Sequence, residues 1–317
     1  MHILLVGPGA LGCLLAAMIS RTLDKRSDHL AILDHSLERA ALLNSQGIVY
    51  EADGQQHRTS VPVITDPAAS GAADAVVLCV KSHDIARSLR ACQPLLVDST
   101  LLLFLQNGIA HLEDKQATGR AAVAYGTTTE GATLIGPGHV RHAGHGVTHL
   151  GFHSQIIDTS LNRFGLLADI FRRAGLPTIT TDRIIDRLWA KLFINVGINA
   201  LTAIHDCPNG DLLTLPGARE RMRTAIAEAE MVARMQGIRI DGDPFAATQE
   251  VCRKTAGNIS SMLQDIRRRR RTEIDAINGA VAKAGRVLGL ETPENERLLR
   301  QVRQIESGYT TTPLNDR

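Results

Sequence analysis

Several features are scarce in this chain, and each scarcity excludes something. Aromatic residues make up 3% of the 317 positions and the formal net charge is only +2. With neither a cationic surplus nor aromatic platforms, nothing draws the chain globally to nucleic acid or to an anionic membrane. The five cysteines (Cys13, Cys79, Cys92, Cys207 and Cys252) show no CxxC or paired spacing. They read as reduced buried thiols, not as a disulfide framework or a zinc site. No apolar run approaches the roughly 20 residues that cross a bilayer. The first residues lack the basic region and cleavage site of a signal peptide and are expected to form a strand, and a cytoplasmic location is the expectation.

What is present is a chain of 317 residues, 44% of them hydrophobic, enough for about two cores. His2 to Val6 is apolar and leads into Gly7-Pro8-Gly9-Ala10-Leu11-Gly12, followed by the apolar run Cys13 to Ile19. Strand, G-x-G-x-x-G and helix in this order are the dinucleotide-binding fingerprint. Gly7 would make the tight turn, Gly9 would admit the pyrophosphate, and Gly12 would let helix pack on strand. The amino end of the helix offers free N–H groups to phosphates.

A second strand, Leu30 to Leu33, ends in Asp34. An acidic residue there accepts hydrogen bonds from the adenosine ribose and favours NAD over NADP. His35, Ser36 and Arg39 could instead meet a 2′-phosphate, and Asp34 could simply cap the helix of Leu37 to Leu43. Further buried strands run from Ala75 to Val80 and from Leu101 to Leu105, ending in Lys81-Ser82-His83-Asp84 and Gln106-Asn107-Gly108. Lys81 and Asn107 thus fall at the carboxyl ends of strands, where open parallel sheets bind ligands.

Residues 121–151 are expected to form short strands added antiparallel at a sheet edge. Their His139, His142, His145 and His149 are read as turn decoration, because alternation spreads them over both faces with no carboxylate at fixed spacing; no metal site is assigned. A helix over 161–174 and a last strand over 176–181 bring the chain to a boundary near Asp182. Beyond it the pattern is helical over 184–204, 216–236, 244–255, 260–288 and 294–306. The fold class is therefore α/β: an amino-terminal Rossmann-type parallel-sheet domain over 1–182, then an all-helical carboxyl-terminal domain over 183–317.

The first of these helices contains Lys191, Asn195 and Asn199 within otherwise apolar sequence. At 100° per residue the two asparagines fall about 40° and 80° from the lysine, a narrow polar stripe. A buried ammonium needs a partner, so a carboxylate or an anionic ligand must converge on it, unless a packed core or dimer interface satisfies these atoms internally. Glu273 is a candidate partner, because it lies where the helix carrying Arg267 to Arg271 turns apolar again. It could equally pair with Arg269 or Arg270 at the surface. Five consecutive arginines on a helix point in all directions, which speaks for a solvated helix and against a phosphate grip.

The glycine loop, Lys81, Gln106-Asn107-Gly108, Gly126 with its three threonines, the Trp189 to Asn199 helix, and Ser260 to Ile266 through Thr272-Glu273-Ile274-Asp275 together resemble the ketopantoate reductases (2-dehydropantoate 2-reductases). The resemblance runs in order from the first residues to about Asn295. It implies a Rossmann domain and a helical domain, an active site in the cleft between them, and reduction of 2-dehydropantoate to (R)-pantoate with NADPH on the way to pantothenate and coenzyme A. It makes Lys191 the catalytic lysine and Glu273 an active-site carboxylate. Asn195, Asn199, Asn258 and Ser261 become substrate binders, and Lys81 and Asn107 lie near cofactor and substrate.

Two departures accompany it. Asp84 stands where the family commonly has Gln, and Asp34-His35-Ser36 stands where it tends to place Arg. NADP(H) is the family-based expectation, with NAD(H) its rival through Asp34. The expected partner is a small 2-oxo acid, with no nucleic acid or membrane and with room for a homodimer. The alternatives are a related dehydrogenase of another 2-oxo or 2-hydroxy acid, and a catalytically silent sensor of nicotinamide nucleotides. Lys191 and Glu273 together speak against the sensor, which has no use for a buried acid group.

Overall fold

The computed structural model describes residues 1–24, 26–113, 118–153 and 158–309. The last residues assigned to the helical domain, 310–317, lie outside the described residues. Backbone contacts divide the chain into two units, one of Met1–Gln106 with His111–Ile184 and one of Asn107–Ala110 with Ile185–Arg317. The short segment after the Leu101–Phe104 strand thus belongs with the helices.

The first unit is built on a parallel sheet. Its strands β1 (His2–Val6), β2 (His29–Leu33), β5 (Val63–Ile64), β6 (Ala75–Leu78), β7 (Leu101–Phe104) and β8 (Ala122–Thr128) are joined by β11 (Thr148–Phe152) and β12 (Thr178–Thr180), in the order β12-β11-β8-β7-β6-β1-β2-β5. Strand order reverses direction at β1, which lies between β2 and β6, so the loops leaving β1, β2 and β6 surround the switch point where such sheets bind ligands. Strand β1 from Ile3 onward and all of β6 and β7 are apolar and buried because helices cover both faces of a parallel sheet.

A second sheet, of order β4-β3-β10-β9, comprises β3 (Ile48–Ala52), β4 (Gln55–Thr59), β9 (Gly131–Gly136) and β10 (His139–Gly144). Helix α1 (Ala10–Ser20) packs against strands of both sheets. That position explains why every residue from Gly12 to Ile19 is buried, since a helix apolar all round must be covered all round. Residues 121–151 therefore depart from the expected edge addition: β8 pairs parallel with β7, only β11 joins antiparallel, and β9 and β10 leave for the second sheet. The histidines also depart from expectation, because the β9–β10 pairing and β3 bring carboxylates to them. His139 meets Glu51 at 2.8 Å and His142 meets Glu130 at 2.6 Å.

In the second unit α5 (Ile184–His205) packs against α6 (Ala218–Met235) and α7 (Pro244–Lys254), and a Cβ at Gly197 would lie 2.8 Å from Ile226 and 2.9 Å from Thr248. The expected single helix over 260–288 is instead α8 (Ser261–Arg267) and α9 (Asn278–Val287), separated by an irregular segment. The chain turns at Arg269, whose φ is +51°. Thr272 N then donates to Glu306 Oε1 at 2.7 Å, anchoring the break to α10 (Pro293–Ser307). A buried network completes the unit. Glu228 accepts from the backbone N–H groups of Glu294 and Asn295 at 2.8 and 2.9 Å, capping α10, and Asn278 Nδ2 donates to Asn295 Oδ1 at 3.0 Å. Among the described residues no helix is long and apolar enough to cross a membrane.

Candidate active site

The glycine loop comes first. Gly7 has φ +98° and a Cβ there would lie 2.6 Å from Val80 Cγ1, while a Cβ on Gly12 would lie 2.0 Å from the Gly7 carbonyl oxygen. Those two positions require glycine for conformation and packing. Gly9 does not: its φ is −75° and its nearest neighbour, Cys79 O, is 3.9 Å away. The protein itself has no use for a missing side chain at Gly9, so the requirement fits a ligand that approaches the backbone there. Gly9 is also the N-cap of α1, with no side chain occupying the cap. The free N–H groups of Ala10, Leu11 and Gly12 thus suit the pyrophosphate of a dinucleotide.

At the end of β2, Asp34 is 2% exposed and its carboxylate is already engaged. Arg39 Nε donates to Oδ2 at 2.7 Å and Arg39 Nη2 to Oδ1 at 2.5 Å, while Ser36 N donates to Oδ1 at 3.2 Å. Ser36, not Asp34, caps α2 (Leu37–Gln46), accepting from Arg39 N at 3.2 Å. Lys81 is half-buried just beyond β6, at the start of the turn Ser82–Asp84. Gln106 Nε2 donates to the carbonyls of Leu78 and Val80 at 2.8 and 3.2 Å, fastening the carboxyl ends of β6 and β7 together.

In the second unit, three of the singled-out residues meet. Lys191 Nζ donates to Asn107 Oδ1 at 2.8 Å, and Asn107 Nδ2 donates to Glu273 Oε2 at 3.0 Å. The break between α8 and α9 makes this possible. Ile274, Ala276 and Ile277 are buried to within 2% and hold Glu273 inward, away from the exposed arginines 267–271. Gly108 (φ +80°) lies so close to the same segment that a Cβ would be 2.1 Å from Ala276 O, and Ile109 N donates to that carbonyl at 3.3 Å. Asn-Gly at this turn therefore sets Asn107 between the lysine and the carboxylate.

Burial lowers the Lys191 pKa to about 8, and the nearby Glu273 carboxylate opposes that shift. Asn195 presents a buried Nδ2 with no hydrogen-bond partner among the described residues, an orphan donor that a ligand acceptor would satisfy. Asn199, 6% exposed, lies further along the stripe. Thr202, about 20° from Lys191 by helical advance, extends it by one turn. Its hydroxyl lies 2.7 Å from Ser260 Oγ, which also caps α8. Neither Thr202 nor Ser260 was among the expected site residues, although helical period alone places Thr202 on the stripe. Ser261 is exposed at the start of α8, and Asn258 is exposed with its backbone fixed to Asn209 and Thr255. The Asp53-Gly54 turn of the β3–β4 hairpin, with φ +50° and +75°, was also not anticipated; the Asp-Gly pair is its sequence signal. The thiols are poor nucleophiles, since burial raises Cys13 to about 12 and Cys92 and Cys252 to about 11.

Comparison with known proteins identifies the family. Residues 3–155 match the model of the ketopantoate reductase PanE/ApbA family and residues 183–306 match its carboxyl-terminal model. The 2-dehydropantoate 2-reductase of Halobacterium salinarum is 33% identical over 295 residues, covering 92% of this chain and 95% of that protein. A PanE/ApbA family ketopantoate reductase from Ralstonia eutropha has a TM-score of 0.87 at 32% identity, covering 97% of this chain and 99% of its own. A D-mandelate dehydrogenase solved with NADH and anilino(oxo)acetate has a TM-score of 0.88 at 26% identity, with the same coverage. Fold, motifs and relatives converge, and the chain belongs to the ketopantoate reductase family.

Proposed function

We propose that this protein reduces the ketone of 2-dehydropantoate to (R)-pantoate with NADPH, a step toward pantothenate. The observation that carries the reading is the Lys191–Asn107–Glu273 chain of hydrogen bonds. The Gly7–Gly12 loop would hold a nicotinamide nucleotide, which when bound would supply the hydride. As the ketone oxygen gains charge, Lys191 stabilises it and donates a proton, afterwards regaining one from solvent. With a pKa of about 8, the lysine is a better matched acid at neutral pH than a solvated lysine near 10.4. Asn107 aims the ammonium, and Glu273 orients Asn107 and keeps Lys191 charged. Asn195, Asn199, Asn258 and Ser261 hold the carboxylate and hydroxyl groups of the substrate. In this division of labour residues 1–182 carry the nucleotide, and Asn107 joins 183–317 in carrying the chemistry.

NADP(H) is the proposed cofactor because Arg39 neutralises Asp34. The carboxylate then does not repel a 2′-phosphate as a free one would, and the guanidinium can turn to receive it. NAD(H) is the rival, in which Asp34 accepts from the ribose. The likeness to D-mandelate dehydrogenase supports a second reading, reduction of a bulkier 2-oxo acid by the same lysine. The test is steady-state oxidation of NADPH and NADH with 2-dehydropantoate and with phenylglyoxylate. The proposal predicts the highest kcat/KM for NADPH with 2-dehydropantoate. Preference for phenylglyoxylate selects the second reading, and nucleotide binding without turnover of any 2-oxo acid defeats both.

A further inference from the structure

A cluster in the first unit takes no part in the chemistry above. It lies where the chain crosses between the two sheets. Thr129 and Glu130 lead from β8 to β9, and His145, Gly146 and Val147 lead from β10 back to β11. The crossings are tied together: Thr129 N donates to Val147 O at 3.1 Å and Val147 N donates to Thr129 Oγ1 at 2.8 Å. A Cβ on Gly146 would lie 2.3 Å from the Thr129 carbonyl carbon and 2.5 Å from Glu130 N. Glycine is what lets the His145 segment come this close to Glu130.

Between the crossings, Glu130 Oε2 lies 2.6 Å from His142 Nε2, and both side chains are 1% exposed. His142 Nδ1 lies 3.2 Å from Tyr50 Oη. The His145 ring sits edge-on to that of His142, with centroids 4.4 Å apart. One ligand atom from each of Glu130, His142 and His145 lies within 4.8 Å of the other two. Glu130 Oε1 is buried and has no hydrogen-bond partner among the described residues, an unsatisfied acceptor of the kind native interiors seldom keep.

We propose that Glu130, His142 and His145 bind a divalent transition-metal ion of the zinc class. Two imidazoles and one carboxylate form a nitrogen and oxygen set that zinc favours, and the exposed His145 leaves a fourth position open to water. The ion displaces the hydrogen bond between His142 Nε2 and the Glu130 carboxylate and gives Glu130 Oε1 the partner it lacks. With Nε2 on the metal, the remaining imidazole proton sits on Nδ1 and is donated to Tyr50 Oη, an outer partner that fixes the ring. Since the ligands come from both crossings, the ion acts as a staple between the sheets and adds stability without entering the reduction.

The experiment uses the tag-free full-length chain, stripped with a chelator and titrated with Co²⁺ and Zn²⁺. Expected are one equivalent of Co²⁺ with the intense visible absorption of a four-coordinate site, its displacement by Zn²⁺, and a rise in Tm on adding Zn²⁺. Glu130→Gln and His145→Ala should each weaken binding by more than the roughly 10- to 100-fold that loss of an outer partner costs. His145 is exposed, so its variant keeps the fold even if Glu130→Gln does not. Reductase turnover should be unchanged by His145→Ala. Absence of Co²⁺ binding at micromolar concentration overturns the proposal. So does binding that His145→Ala leaves intact.

Discussion

The amide of Asn107 joins Lys191 to Glu273, accepting from the ammonium at 2.8 Å and donating to the carboxylate at 3.0 Å. A neutral group that both accepts and donates lets one lysine stay aimed while its pKa sits near about 8. A direct ion pair alone would pull the value back toward that of a solvated lysine.

The pH dependence of the rate follows from this arrangement. Lys191 must be protonated to act as the acid, so kcat/KM should be level below its pKa and fall as pH rises through about 8. Glu273 raises that pKa against the effect of burial. Glu273→Gln should therefore move the alkaline limb to lower pH as well as slow the reaction. A pH profile that does not move, or moves upward, contradicts this role for Glu273.

Gly108→Ala should damage catalysis without touching nucleotide binding. Its Cβ would lie 2.1 Å from Ala276 O at a backbone φ of +80°, so the Asn107 turn or the Glu273 segment must shift. A displacement near 1 Å costs about 10²-fold in rate, and the strained backbone costs about 1–3 kcal/mol. Comparing kcat, Tm and the NADPH Kd of the variant with the parent separates the two effects.

Two glycines of one loop should fail differently. Gly9→Ala meets only Cys79 O at 3.9 Å, so Tm should hardly change while the NADPH Kd rises sharply; Gly12→Ala meets Gly7 O at 2.0 Å and should lower Tm. Equal effects of both variants on Tm would remove the argument that Gly9 serves the ligand.

Cofactor choice rests on Arg39. Arg39→Ala leaves Asp34 as an unneutralised carboxylate and removes a charge-assisted contact to a 2′-phosphate. KM for NADPH should rise about tenfold or more relative to that for NADH. A ratio that stays constant shows that Arg39 belongs to Asp34 alone.

Much of this was legible in the sequence, for physical reasons that differ from place to place. The glycine loop announces itself because conformation, packing and ligand each demand glycine at a fixed offset. The Lys191 stripe is visible because polar groups at helical spacing on an apolar helix must be buried together. Glu273 was identified, but its setting was not. Arginine, isoleucine and alanine all suit a helix, so nothing local marks the break that starts at Arg269. The break depends on a distant acceptor, Glu306. The carboxylate partner of His142 was equally hidden, because it comes from the register of β9 against β10. That register brings Glu130 twelve positions away in sequence to 2.6 Å.

Lys191→Ala offers the most direct test of the central claim, read as kcat for 2-dehydropantoate reduction beside the Kd for NADPH. Loss of a positioned acid predicts a fall in kcat of about 10²- to 10⁴-fold with nucleotide affinity nearly intact. An unchanged kcat, or the disappearance of nucleotide binding, would contradict the assignment of Lys191 as the proton donor.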